Sequence, residues 1–376
     1  MKFTPIHFQG SLAAAGVALM PFLFMQFTMP HNGAFINLSD ISFATLGPLQ
    51  NIFLYSLLGI MFIFTLIHLS LILFLIKELI IWFKNKSEVS NFLNSGLTNI
   101  GMFSPIISIT MSMYIVLGPI FFFIPKLANQ VPSLMFWAFL FWSLIWTVAL
   151  LLEAKVIKVL LTKSVDVEKM NFGWLLDSFT FGMIALVGSF IASLAVDTNI
   201  ASMAAFMTLT VLIVGLLILG IKFIILFQNQ LKASQLPEKI SLLSIFIIVP
   251  ITCLYGVSFF RLNIYLENVF NYNIGIFSYF IIMISYIIAG TYLLLSIYLI
   301  RDYLFKDFLR DEYHPSQWVT VCALVGFEVL GLYVYSEYYS SSWIPLLSYV
   351  LVLLASLIYL MILGHYLKVR FSKVTY

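Results

Sequence analysis

The chain has 376 residues, 62% of them hydrophobic and 9% charged, with a formal net charge of +3 and a mean hydropathy of +1.05. These values exclude a soluble globular domain and place the protein in a lipid bilayer.

Apolar segments long enough to cross that bilayer recur ten times, at about 8–29, 52–83, 102–124, 131–162, 171–196, 202–228, 239–262, 274–305, 316–336 and 343–370. The longest polar connection, 30–51, is too short for a separate domain, so residues 1–376 form a single transmembrane unit. Lys and Arg gather on the cytoplasmic side of membrane spans. With the N-terminus inside, all but Lys126 and Arg261 of the 19 Lys and Arg residues fall on that side. The asymmetry supports the count of ten and predicts a multi-pass protein of the cell (inner) membrane with both termini cytoplasmic. The first segment has the Lys2, apolar run and Ala-rich stretch of a signal peptide. Its apolar run continues to Met29, however, so a retained first helix is expected.

The ten segments pair as five helical hairpins of unlike helices. The even segments are long, aliphatic and aromatic, whereas each odd segment carries small or hydroxyl residues at helical spacing, which puts them on one face. The first has Ser11, Ala14, Ala15 and Ala18. The third has Ser104, Ser108 and Ser112, and the fifth Ser178, Gly182, Ala185, Ser189 and Ser193. The seventh offers Pro250, Thr252 and Gly256, and the ninth Ser316, Thr320, Ala323, Phe327 and Gly331. Such stripes serve either close helix packing or the lining of an axis. Their restriction to alternate helices favours the axis. The expected fold is all-α, with the odd helices around a central pore and the even helices as an outer layer. Ser108, Ser112, Gly182, Ala185, Ser189, Pro250, Thr252, Gly256, Thr320 and Ala323 are the expected pore-lining residues. Phe327, about 16 Å into the ninth span at 1.5 Å per residue, is the one bulky residue on its stripe and the candidate gate.

A carboxylate inside the membrane needs a reason. Glu328 is read either as a structural carboxyl or as a proton-coupling group. Arg261 and Lys126, the two cations on the outer side, are candidates for drawing in anions or for interfacial anchoring. A haem- or quinone-binding anchor of a respiratory oxidoreductase is the alternative reading, resting on five histidines. By the rise per residue, His68 and His365 differ in depth by roughly 9 Å, a poor match for two axial ligands. No nucleotide loop, zinc motif, nucleophile elbow or nucleic-acid platform is visible. No enzymatic activity, cofactor or metal is therefore expected, and Cys253 and Cys322 are too unequal in depth to pair.

The five-hairpin pattern resembles the tellurite-resistance and dicarboxylate transporter family, which includes slow-type anion channels. The opening "FTPIHFQGSLAAAGVALMPF" and "HPSQWVTVCALVGF" at the start of the ninth span carry the resemblance along with the architecture of the whole chain. It implies kinked odd helices around a pore, a blocking phenylalanine on the ninth helix, a small anion as substrate and assembly as a homotrimer. Inorganic anions, sulfite-like oxyanions and small carboxylates all fit, through a channel or a proton-coupled carrier.

Overall fold

A computed structural model describes residues 2–163, 165–233, 236–272, 274–308, 313–341 and 343–371. Arg310 and Lys373, two of the cations counted on the cytoplasmic side, lie outside the described residues. Ten helices are long and apolar enough to span a membrane: α1 (Pro5–Thr28), α2 (Pro48–Lys84), α3 (Asn99–Ile120), α4 (Val131–Thr162), α5 (Phe172–Leu194), α6 (Thr198–Ala233), α7 (Lys239–Phe270), α8 (Gly275–Lys306), α9 (Pro315–Glu337) and α10 (Trp343–Arg370). No strand occurs among the described residues.

The helices alternate in burial as well as in composition. In the apolar stretch of each odd helix 72–94% of residues are buried, against 28–39% in each even helix. The small residues of α1, α3, α5, α7 and α9 let their backbones approach, and these five close into a ring in which α1 touches α3, α3 touches α5, α5 touches α7, α7 touches α9 and α9 returns to α1. The even helices lie behind them: α2 on α1, α6 on α5, α8 on α7 and α10 on α9, while α4 packs more on α5 than on its hairpin partner α3. Their free faces are large and apolar, as at Leu73, Phe206 and Leu294. That is the surface hydrocarbon tails cover.

Each odd helix carries a 3-10 turn near its start, at Pro5–His7, Asn99–Met102, Phe172–Leu175, Leu243–Ile247 and Pro315–Gln317. Prolines account for part of this. Pro5 and Pro315 open their turns, where a missing N–H costs nothing. Pro250 has no N–H for the carbonyl of Phe246, four residues back in the 3-10 turn of α7. At the other end of α3, Pro119 sits in a π turn, Val116–Ile120. The seventh span is longer than its hydropathy suggests. It continues to Phe270 and stops at Asn271, whose φ of 56° is left-handed, a conformation asparagine tolerates.

Candidate functional site

The ring of odd helices encloses two cavities. The starts of all five helices border one, of about 440 Å³, through Gln9, Gly101, Leu176, Ile247 and Val319. All five also border the other, of about 130 Å³, further along the same helices. Its floor is Leu12, Met111, Phe179, Pro250 and Cys322, and its far end holds Gln26, Phe190, Arg261 and Tyr333. The grouping shows that the odd helices run parallel. The partition between the cavities is thin. From Gln9 to Leu12, Leu176 to Phe179, Ile247 to Pro250 and Val319 to Cys322 the lining residues advance by three positions, about 4.5 Å. Only α3 spans a longer interval, Gly101 to Met111. Within it Phe103 and Ile107 are fully buried, and the buried hydroxyls of Ser104 and Ser108 have no hydrogen-bond partner among the described residues.

Arg261 is the one charged residue on the wall of the smaller cavity among the described residues. It does not end its helix, as the hydropathy suggests, but lies inside α7, nine residues before Phe270. Its Nε donates to the Tyr333 hydroxyl at 3.2 Å, and its guanidinium lies 5.0 Å from the Phe190 ring centre and 5.9 Å from that of Tyr333. No carboxylate pairs with it among the described residues. Glu337, further along α9, is exposed and accepts from Ser336. Tyr114, which borders the same cavity, meets the Phe190 ring edge-on at 5.7 Å, and its hydroxyl is buried with no hydrogen-bond partner among the described residues. Gln26 accepts from the Ile36 N–H at 2.8 Å and donates to the Ala34 carbonyl at 3.3 Å. These bonds hold the loop whose Phe35 stacks on Phe190 at 5.3 Å and caps the cavity.

Of the ten residues expected to line an axis, Pro250 is on the wall of this cavity and the others are not, whereas Arg261, expected to draw in anions or to anchor at the interface, is on that wall. The hydroxyls of Ser189, Thr252 and Thr320 donate to carbonyls of their own helices, Leu186, Ile248 and Gln317. Ser112 reaches the Ser108 carbonyl and His68 of α2, each at 3.0 Å. A methyl group at Gly182 would lie 2.9 Å from the Tyr255 ring of α7, and one at Gly256 would collide with Ser285 of α8. Ser108, Ala185 and Ala323 are buried between helices. The small-residue stripes are therefore contact faces, where short side chains permit close approach. The cavity wall is mainly apolar, with large side chains such as Leu19, Phe179 and Met183 beside Gly16, Gly118 and Gly326.

Phe327 illustrates the correction. The cavity face of α9 is Cys322, Val325, Gly326, Val329 and Tyr333. One position past Gly326, Phe327 is turned by about 100° and stacks on Tyr286 of α8, ring centres 5.0 Å apart and planes at 9°, over Gly290. A ring held between α8 and α9 cannot block the axis. Glu328 turns further away and accepts from Ser348 of α10 at 2.6 Å, its second oxygen buried without a partner among the described residues. Lys126 is exposed in the turn Pro125–Ala128, outside the cavity wall.

For a haem ligand, His68 is poorly placed. Its Nδ1 bonds to the Ser11 carbonyl at 2.9 Å and its Nε2 to Ser112, so both ring nitrogens are engaged. Cys253 and Cys322 are both free thiols on the cavity wall. Among the described residues no group of three or more His, Cys, Asp or Glu side chains could hold a metal ion.

A charged cluster that the sequence did not reveal lies away from the axis. Lys222 of α6 bonds to the buried Asp177 of α5 and, at 3.0 Å, to the Trp174 carbonyl. Glu153 of α4, 3% exposed, adds a second carboxylate, one oxygen of which has no partner among the described residues. Comparison of the sequence with models of known families and with curated proteins finds no match.

Proposed function

We propose that the protein moves small anions across the membrane along the axis of the odd-helix ring, as a member of the tellurite-resistance and dicarboxylate transporter type would. The observation that carries this reading is Arg261, a cation with no ion-pair partner among the described residues, on the wall of a cavity bordered by all five odd helices. A buried charge is costly unless something compensates it, and a passing anion supplies that compensation. With the N-terminus in the cytoplasm, the Arg261 cavity faces outward and the larger one inward. One helical turn of apolar side chains between them acts as the barrier, and Phe179, the aromatic residue on the floor of the Arg261 cavity, takes the gating role. Glu328 stays in this scheme as a carboxyl that couples protons from behind the wall, if the protein is a carrier rather than a channel.

The test is anion flux in proteoliposomes, with chloride, nitrate and small carboxylates at two pH values. Hydrogen bonds to charged groups contribute about 1.5–3 kcal/mol, so Arg261→Gln should lower flux by roughly 10- to 100-fold, with Arg261→Lys in between. Unaltered flux in a well-folded Arg261→Gln protein rules the reading out. Loss of acid dependence in Glu328→Gln identifies a carrier; a pH-independent flux in both proteins identifies a channel.

A further inference from the structure

We infer that the Arg261 cavity binds a monovalent organic anion with an apolar body, a short aliphatic or aromatic monocarboxylate, in preference to a halide or a dianion. The inference rests on the reading of this cavity as an anion site and names the class of anion.

The cavity has one polar end. Arg261 gives its Nε to Tyr333, a neutral partner, which leaves both terminal nitrogens of the guanidinium for a ligand. Such a pair matches the two oxygens of a carboxylate, the arrangement in which arginine binds most strongly. The Tyr114 hydroxyl, buried beside Phe190 with no hydrogen-bond partner among the described residues, would serve as a further donor for the same head group once a small rotation of its ring opens it to the cavity.

Away from that end the wall is hydrocarbon: Leu12, Leu19, Met111, Phe179, Met183 and Val325. A dianion would need a second cation there, and none lines the cavity among the described residues. Chloride or sulfate would exchange a full hydration shell for a single guanidinium and an apolar wall. A monocarboxylate also gives up hydration at its head group, but its two oxygens meet the guanidinium together and its carbon skeleton gains from contact with the wall. The volume, about 130 Å³, is close to that of dry apolar cavities that accept benzene, on the order of 150 Å³. A benzoate-sized tail is the upper limit.

The experiment is equilibrium binding to the full chain in nanodiscs with acetate, butyrate, hexanoate, benzoate, chloride, sulfate and succinate. Each methylene placed against the wall should raise affinity about fourfold, so hexanoate and benzoate bind best and succinate and sulfate fail to compete at tenfold excess. Arg261→Gln should lower benzoate affinity at least tenfold and also corrects for partitioning into lipid. Tyr114→Phe, which keeps the ring, should lower it several-fold and stands in if Arg261→Gln does not fold. Affinity that is flat along the series, or chloride binding as tightly as benzoate, overturns the inference. Flux measured in parallel separates the two claims. Chloride flux without dependence on tail length defeats this inference and leaves anion transport standing; tail-dependent binding with no flux of any anion supports the site and defeats transport.

Discussion

Lys222 reaches from α6, in the layer behind the ring, to the ring helix α5, where it meets Asp177, the Trp174 carbonyl and, at 4.7 Å, the face of the Trp174 ring. Asp177 also accepts from the backbone N–H of Ser178 at 2.7 Å, which fixes the carboxylate at the start of α5. Removing one member of a buried ion pair costs about 3–5 kcal/mol, because the other charge is left in a medium that cannot solvate it. Lys222→Ala should therefore lower the unfolding temperature of the detergent-solubilised protein sharply. Lys222→Met combined with Asp177→Asn, which removes both charges, should recover most of the loss. Equal destabilisation by the single and double variants would show that Lys222 acts by packing alone. Glu153 makes no ion pair with Lys222, so Glu153→Gln should change stability by no more than about 1 kcal/mol.

The ring holds together at helix crossings without side-chain bulk. At the α7–α9 crossing, a methyl group on Gly326 would stand 2.9 Å from the Cα of Pro250, a backbone atom that cannot rotate aside. Gly326→Ala must separate two helices that both border the cavity, at about 1–3 kcal/mol by the usual penalty of overpacking. Gly364→Ala in α10, where nothing lies within 4 Å, should be neutral or slightly stabilising. Thermal unfolding of the two variants separates the cases, and a stable Gly326→Ala argues against so tight a crossing. How much of this the sequence reveals depends on what each residue type encodes. The ten spans and the contrast between odd and even helices are legible, because small-and-hydroxyl against large-and-apolar is a difference in composition. Which face of an odd helix meets the cavity is not, because the same small residues serve contact and lining alike. Phe327 and Gly326 are adjacent in sequence, and only the position of α8 decides that one turns outward and the other inward. Arg261 is visible as an out-of-place cation. Its depth is misjudged because the polar residues after it, Asn263, Glu267 and Asn268, dilute the hydropathy of a helix that in fact continues to Phe270. The pairing of Asp177 with Lys222 joins different spans, and no local spacing encodes it.

For the molecule as a whole the decisive feature is the asymmetry of the axis: a small cavity with a cation toward one face, a larger one toward the other, and a single turn between. Cys322 is a native reporter of it, since it lies on the floor of the Arg261 cavity, and its neighbour Val319 borders the other. Cys253 shares the same wall, so Cys253→Ala leaves a protein with one thiol, two being the total in the chain. A small membrane-impermeant methanethiosulfonate added from the Arg261 side should modify Cys322. An anionic reagent should react several-fold faster than a cationic one of equal size, because Arg261 concentrates negative charge in the cavity. From the opposite side the reagent must cross the partition, and labelling should be at least tenfold slower. Phe179→Ala removes the largest side chain from that floor and should abolish the difference between the two sides while raising anion flux. The measurement is the rate of mass addition at Cys322 in oriented proteoliposomes. Equal rates from both faces in the Cys253→Ala protein, before Phe179 is touched, would mean that the partition does not close the axis and that the barrier to ions lies elsewhere in the ring.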